Sequence, residues 1–383
     1  MKIIHFHNGS GGGVLSVVKN LVQYSKNTEI ENHIVFTINE SQRTNFHAPD
    51  LRGATQASVF YYAPNWNFYY TCKELAKHIP DQNCIIAAHD WMELGAATML
   101  GLQNSVIQFV HGDYDYYYQL AAKHASSING FVCVSSAISN KLKQLLPDRV
   151  NDIACLELPV PEVPTAVKEK TGRRIVFIGR CEKEKGYHLL PLIDEQLRKS
   201  DLEVEWHIYG EGSLDSKSQS IWSGKSKVFF HGVLPSEELL KRLPQYDYLV
   251  LPTIAEGMPV TVIEAMKAGL VPVVNHLPGG LEELIGTNER GYLIKENEID
   301  GYVTVLQLLI QNRKLAFDIA SKASLFANEK FDPVRSTARI ETFMIDHSKK
   351  RNLKKPRKIY GSRLDQKWLP NRIVKIIRDC NQK

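Results

Sequence analysis

The chain has 383 residues and a mass of 43.4 kDa, long for one ordinary domain and comfortable for two. Hydrophobic residues make up 43% and charged residues 23%, which excludes collagen-like, coiled-coil and wholly disordered chains. The net charge of +5 is uneven: from Ser348 to Lys383 thirteen Lys/Arg face only Asp365 and Asp379, a net of +11, so the preceding residues carry −6.

No apolar run approaches the roughly 20 residues of a membrane span. The opening MKIIHFH is too short and too interrupted by His5 and His7 for a signal peptide, so it reads as a strand of a cytoplasmic protein. Cys72, Cys84, Cys133, Cys155, Cys181 and Cys380 are scattered without CxxC pairs, so neither a zinc site nor a disulfide framework is expected.

Short apolar runs alternate with amphipathic stretches along the chain. Strands are expected over residues 2–7, 33–38, 58–62, 83–88, 106–110 and 130–134, with helices such as 14–24, 91–100 and 137–146 between them. Residues 158–164, LPVPEVP, read as an extended linker. The pattern then restarts, with strands expected over 174–178, 204–209, 227–230, 248–251, 271–275 and 292–294. Apolar runs without strict alternation, separated by helices, predict parallel sheets covered on both faces. Two doubly wound α/β domains result, and facing each other they would leave a cleft at the carboxyl ends of their strands.

The most informative segment is PTIAEGMPVTVIEAMKAG, residues 252–269, after the strand at 248–251. Pro259 suits the first position of a helix and Gly269 its end. Glu256 then lies in the loop and Glu264 inside the helix, roughly 8 Å along the axis. Between them, free N–H groups of Val260, Thr261 and Val262 would form an anion site. A carboxylate accepts hydrogen bonds from paired sugar hydroxyls, so an elongated ligand with a sugar, a diphosphate and a ribose fits this spacing. A loop acid beside a helix with a solvent-facing Glu fits it as well. Arg180 and Lys185 leave another strand end in a glycine-bounded loop, where their charges suit a diphosphate. Local pairing with Glu182 and Glu184 is the alternative.

Glu256 and Glu264 match the EX7E signature, and the chain resembles glycosyltransferase family 4. Gly179-Arg180 with Lys185-Gly186, the YGEG turn at 209–212, FHG at 230–232 and AGLVPV at 268–273 resemble that family's C-terminal half. The resemblance reaches to about Met344 and is weaker in the first half. It implies a GT-B fold: two Rossmann-like doubly wound domains facing across a cleft, with a C-terminal helix returning to the first. The expected domains are residues 1–163 for the acceptor, 164–332 for the donor, and 333–383 for the returning helix and basic tail.

The resemblance further implies retaining transfer of a hexosyl unit from a nucleotide-diphosphate sugar, UDP- or GDP-linked, to a glycan or lipid-linked hydroxyl. Arg180 and Lys185 would bind the donor phosphates, Glu264 the ribose hydroxyls, and Glu256 would face the transferred sugar. The backbone of Gly257, Met258, Pro259, Val260 and Thr261 would contact sugar and phosphates, and His231, Gly232 and Val233 would border the base. In the first half, Gly12 and Gly13 of the NGSGGG loop would approach the diphosphate, and a plain strand–helix turn is the alternative there. His111 matches the histidine beside the donor sugar, with Asp113 near it. His89 and Asp90 end another strand, where a cap over the next helix is an equal reading. The catalytic set is thus His111, Glu256, Arg180 and Lys185.

Asp113 and Asp115 spell DxD, a metal motif of another glycosyltransferase fold, but Arg180, Lys185 and a helix end can do a cation's work. No metal and no separate cofactor is expected. Two aromatic clusters, Tyr61 to Tyr70 and Tyr114 to Tyr118, would shape the acceptor side or simply pack. In the basic tail, Trp368, Ile373, Ile376 and Ile377 with Arg372, Lys375 and Arg378 predict an amphipathic helix, suited either to an anionic membrane at the inner face or to packing on the first domain. Surface-glycan assembly is the pathway that family habit implies. A GT-B nucleotide-sugar epimerase and a non-catalytic scaffold are the rivals, and no nucleic-acid partner is expected from an acidic body.

Overall fold

The computed structural model describes residues 1–49, 51–163, 172–214, 222, 227–350 and 361–381. Pro164, which closes the expected linker, and the basic run at 351–360 lie outside the described residues.

The chain divides into two compact units. The first comprises residues 1–134, 138–159 and 334–383, and the second residues 135–137 and 160–333. The second unit begins a few residues before the expected switch at 163/164. The reason is local: Val160 N–H donates to Phe331 O at 3.4 Å, and the buried Lys267 Nζ donates to Val160 O at 2.7 Å and Phe331 O at 2.9 Å. Val160 is therefore already tied into the second unit.

The first unit holds strands β1 (Lys2–His7), β2 (Glu31–Asn39), β3 (Gln56–Tyr62), β4 (Ile85–Ala88), β5 (Ser105–Val110), β6 (Gly130–Cys133) and β7 (Ile153–Cys155). They form one parallel sheet in the order β3-β2-β1-β4-β5-β6-β7. The short β7 is absent from the sequence reading, because only Ile153 of its three residues is buried. The second unit holds β8 (Arg174–Ile178), β9 (Glu205–Tyr209), β10 (Lys227–Gly232), β11 (Tyr248–Leu251), β12 (Val271–Asn275) and β13 (Tyr292–Ile294), all parallel, in the order β10-β9-β8-β11-β12-β13. Both are Rossmann-like: order runs outward from the first strand, then jumps across it.

Ile3, Ile4, Phe6, Phe36, Ile86 and Phe109 fill the first sheet, and Ile175, Val176, Phe177, Trp206, Leu249 and Val273 the second, all essentially inaccessible to solvent. Each such side chain contributes about 1.5–3 kcal/mol on burial, so strands buried on both faces need apolar residues at nearly every position. The helix Pro333–Ser348 returns to the first unit. Ile340 and Met344 are buried there, and Ser105 Oγ donates to Ser348 O at 3.0 Å.

Candidate active site

In open parallel sheets, ligands bind beyond the carboxyl ends of the strands where the strand order reverses. That place lies between β8 and β11 in the second unit and between β1 and β4 in the first. Loops 8–12, 89–90, 179–186 and 252–259 leave these strands, whereas His111 follows β5 and His231 lies near the end of β10.

In the second unit, loops 179–186 and 252–259 meet. Gly186 has φ +69°, and a Cβ there would lie 2.0 Å from Pro252 O, so only glycine permits the approach. One residue earlier, Lys185 Nζ donates to Glu256 Oε1 at 2.5 Å, with both side chains largely buried. The Glu256 loop is anchored from behind. Ile254 N–H and Thr253 Oγ1 donate to Glu184 O at 3.0 and 3.3 Å. Asn275 Nδ2 donates to Thr253 O at 2.9 Å, and Tyr302 Oη donates to Asn275 Oδ1 at 2.8 Å. Sequence reasoning missed Asn275 and Tyr302. The available signal was a lone amide closing the apolar run VPVVN.

Arg180 is exposed and pairs with Glu184 Oε2 at 3.1 Å. Glu182 instead accepts from Ser213 N–H at 2.7 Å and its hydroxyl at 2.5 Å. The local pairing weighed from sequence is thus realised for Arg180, whereas Lys185 takes a partner 71 residues away. An exposed i,i+4 pair contributes only about 0.3–0.5 kcal/mol, so Arg180 can be recruited at little cost.

The helix after Glu256 spans Val260–Lys267. Pro259 is its N-cap rather than its first residue, since its ψ of 106° is still extended. Its carbonyl accepts from Val262 N–H at 3.0 Å and Ile263 N–H at 3.3 Å. Of the three N–H groups expected to be free, Val262's is therefore taken, and those of Val260 and Thr261 lead the helix. Gly280 holds the preceding loop from the other side, because a Cβ there would lie 2.0 Å from Gly257 O.

Glu264 is 7% exposed, so the solvent-facing alternative does not hold. Burial pushes its carboxyl up to about 7, opposed by the Lys267 ammonium. Its side chain makes no hydrogen bond among the described residues. A carboxylate stripped of water without donors is costly, and paired hydroxyls from a ligand would relieve that cost.

His231 sits near the end of β10, its Nε2 3.0 Å from His207 Nδ1 and its ring stacked on Tyr209 at 4.4 Å. Burial holds its imidazole below the ordinary range. Gly232 follows with φ +64°, and Val233 is exposed.

In the first unit, Gly12 caps the helix Gly13–Gln23, and both Gly11 and Gly12 border open space. Asn8 orders this loop, accepting from Ser10 N–H at 3.0 Å and donating to Asp90 Oδ2 at 3.1 Å. Asp90 also accepts from the Tyr116 hydroxyl and caps the helix Trp91–Leu100 in a capping box with Glu93. Glu93 accepts from His89 N–H and Asp90 N–H, each at 2.7 Å.

Three histidines form a chain across the strand ends. His5 Nδ1 lies 3.2 Å from His89 Nε2, and His89 Nδ1 lies 2.8 Å from His111 Nε2. Burial pushes His5 down to about 4, His111 to about 3, and His89 well below the ordinary range. All three are neutral at neutral pH, so each link needs one N–H and one lone pair, and the proton positions are correlated along the chain. His111 was expected at this place; its connection to His5 was not. Asp113 accepts from Tyr118 Oη at 2.7 Å and Lys141 Nζ at 3.1 Å, which directs it to these partners rather than to His111.

Among the described residues no group of three or more His, Cys, Asp or Glu side chains could hold a metal ion. Of the first aromatic cluster, Tyr62, Trp66 and Phe68 line a cavity of about 390 Å³ closed by Asp365 and Arg378.

Residues 163–325 match the profile of the family described as "Glycosyl transferases group 1". The matched stretch lies within the second unit. Among curated proteins, the chain is 28% identical over 169 residues to the sulfoquinovosyl transferase SQD2 of Arabidopsis thaliana, covering 43% of this chain and 32% of that protein. It is 29% identical over 213 residues to the poly(ribitol-phosphate) alpha-N-acetylglucosaminyltransferase of Staphylococcus aureus, covering 55% and 42%. The aligned stretches thus span under half the length of these relatives. Among solved structures, a mutant of S. aureus TarM in complex with fondaparinux, alpha-GlcNAc-glycerol and UDP aligns over 91% of this chain and 100% of its own, with TM-score 0.73 and 16% identity. HepE of Anabaena in complex with UDP and glucose aligns over 90% and 100%, with TM-score 0.73 and 14% identity. The fold is that of the GT-B glycosyltransferases, two parallel-sheet Rossmann-like domains.

Proposed function

We propose that the protein is a metal-independent, retaining hexosyltransferase. Its donor is a nucleotide-diphosphate sugar, and its acceptor a hydroxyl of a glycan or lipid-linked glycan in cell-surface polysaccharide assembly at the cytoplasmic face of the membrane. The observation that carries this reading is the junction at the β8/β11 switch point. There Lys185 is held on Glu256 at 2.5 Å, the helix bearing Val260 and Thr261 starts, and Glu264 lies buried without a donor.

Lys185 and Arg180 bind the donor diphosphate together with the N–H groups of Val260 and Thr261. Glu264 accepts from the ribose hydroxyls, and His231, Gly232 and Val233 border the base. Glu256, with the backbone of Gly257, Met258 and Pro259, orients the transferred sugar. Within the first unit, Gly12, Gly13 and His111 serve the acceptor side, and Asp113 holds the His111 loop through Lys141 and Tyr118. In the reaction the bond from the anomeric carbon to the phosphate oxygen breaks with its electrons going to phosphate. The acceptor oxygen bonds to the same face of the ring, and its proton passes to the departing phosphate. The transition state is oxocarbenium-like, and Lys185, Arg180 and the helix N-terminus stabilise the negative charge that grows on the leaving group.

The UDP in the complexes of the TarM and HepE structures makes UDP-sugars the first donors to test. Thermal-shift measurements with UDP-, GDP- and ADP-sugars, with Glu264→Ala alongside, test the reading. Stabilisation by the sugars of one nucleotide, lost in the variant, is expected. No shift with any donor would favour the scaffold reading, and turnover of donor without acceptor would favour the epimerase.

A further inference from the structure

The C-terminal segment docks on the first unit by its polar side. Helix Asn371–Cys380 has one fully buried side chain, Val374. At helical spacing Asn371, Val374, Lys375 and Arg378 share one face, and this face makes the contacts. Asn371 Oδ1 accepts from Asn67 N–H at 2.8 Å, and Lys375 lies over the Trp66 ring. Arg378 donates to Asp365 Oδ1 at 2.8 Å and to Trp66 O. Ile373, Ile376, Ile377 and Cys380 share the opposite face. Ile373 is 45%, Ile376 57% and Ile377 36% exposed, and Trp368 just before the helix is 75% exposed.

An amphipathic helix on a globular domain ordinarily turns its apolar stripe inward. Here the orientation is reversed. The charges are sorted in the same way. Asp365 is consumed by Arg378, Phe68 N–H and Ser362, and Asp379 accepts from Asn65 Nδ2 at 2.8 Å. Asp365 is thus buried and neutralised by Arg378 and Asp379 is held by Asn65, while Arg363, Lys367 and Arg372 remain exposed.

We infer that this face is a binding surface for an anionic lipid bilayer. Trp368, Ile373, Ile376 and Ile377 enter the interface, and Arg363, Lys367 and Arg372 meet the lipid phosphates. Apolar area and flanking cations together set the affinity of such helices. The docking contacts leave this stripe free, so binding needs no rearrangement of the domain. The partner supplies the membrane placement assumed in the proposed function, but binding is measured without turnover, so either can fail alone.

The test is flotation of the full chain with vesicles of phosphatidylcholine alone or mixed with phosphatidylglycerol. Wild-type protein is compared with the triple variant Trp368→Ser, Ile376→Ser, Ile377→Ser. These side chains are exposed, so an unchanged melting temperature is expected and checked. Partition into the anionic vesicles should fall by about tenfold or more in the variant. For wild type it should weaken when salt rises from about 0.1 M to about 0.5 M. Absence of wild-type binding, or equal binding by the variant, overturns the inference. So does a wild-type dimer in light scattering that the variant converts to monomer, which would make the face a self-interface.

Discussion

The two switch points solve opposite electrostatic problems with one topology. In the first unit three stacked histidines, His5, His89 and His111, are pushed by burial into the neutral form. In the second, charge is concentrated: Lys185 on Glu256, with Glu264 buried one helix turn beyond the loop. A neutral chain fixes where protons sit without attracting anions. A charged junction pairs a cation with a carboxylate and must spend stability to hold its charges out of water. Similar folds therefore do not imply similar site physics, and substitutions in the two halves should fail differently.

The largest effect is expected at the charged junction. Lys185→Ala should lower kcat about 10³-fold, as removal of a charge-stabilising donor does, with a smaller change in KM. An equal loss from Arg180→Ala would break the contrast between a built-in cation and a surface one.

Glu264→Gln should separate binding from stability. Its carboxyl is raised to about 7 from an ordinary 4.5, so between these values the folded state holds a proton the unfolded state has lost. Stability contributed by this group therefore falls as pH rises from 4.5 to 7. At pH 8 the unliganded Gln variant should be more stable by about 1–3 kcal/mol, read by urea denaturation. Donor-sugar affinity, measured by calorimetry with a UDP-sugar whose phosphates do not titrate there, should rise with pH through about 7 in wild type. A variant with unchanged affinity would remove Glu264 from the ribose position.

His89→Gln should cost about tenfold in kcat with little change in donor KM, and should shift the ¹⁵N imidazole signals of both His5 and His111. Signals that stay in place would mean the chain is mere packing. Because the histidines are depressed below an ordinary 6.5, stability should fall with acidification from 6.5 toward about 4, at about 1.4 kcal/mol per pH unit for each group. The mildest variant is Arg180→Ala, about tenfold in kcat like His89→Gln but with stability unchanged within about 0.5 kcal/mol.

The sheets were legible because strands covered on both faces need unbroken apolar runs, and these stand out between helices. The layout of residues 252–269 was legible because Pro259 and Gly269 bracket a helix, which puts Glu256 in the loop and Glu264 inside the helix. Lys185 was visible as a candidate, but its contact with Glu256 spans 71 residues and depends on Gly186 passing close to Pro252. The histidine chain was hidden for the same reason: its links span 84 and 22 residues, and only sheet register brings them together. The tail's amphipathicity was legible, but not which face docks, because that is decided by Asp365, Asn67 and Asn65, whose pairing no periodicity encodes.

Lys267 has a consequence for how the molecule is made. Its ammonium clasps Val160 and Phe331, the places where the chain enters and leaves the second unit. That unit is continuous between them, whereas the first lacks its closing helix until residues 334–348 are synthesised. On the ribosome the inserted unit can therefore complete and lock its own ends first. The earlier-made sheet waits for residues 334–348, so a stall or truncation near residue 333 would strand the first unit and spare the second.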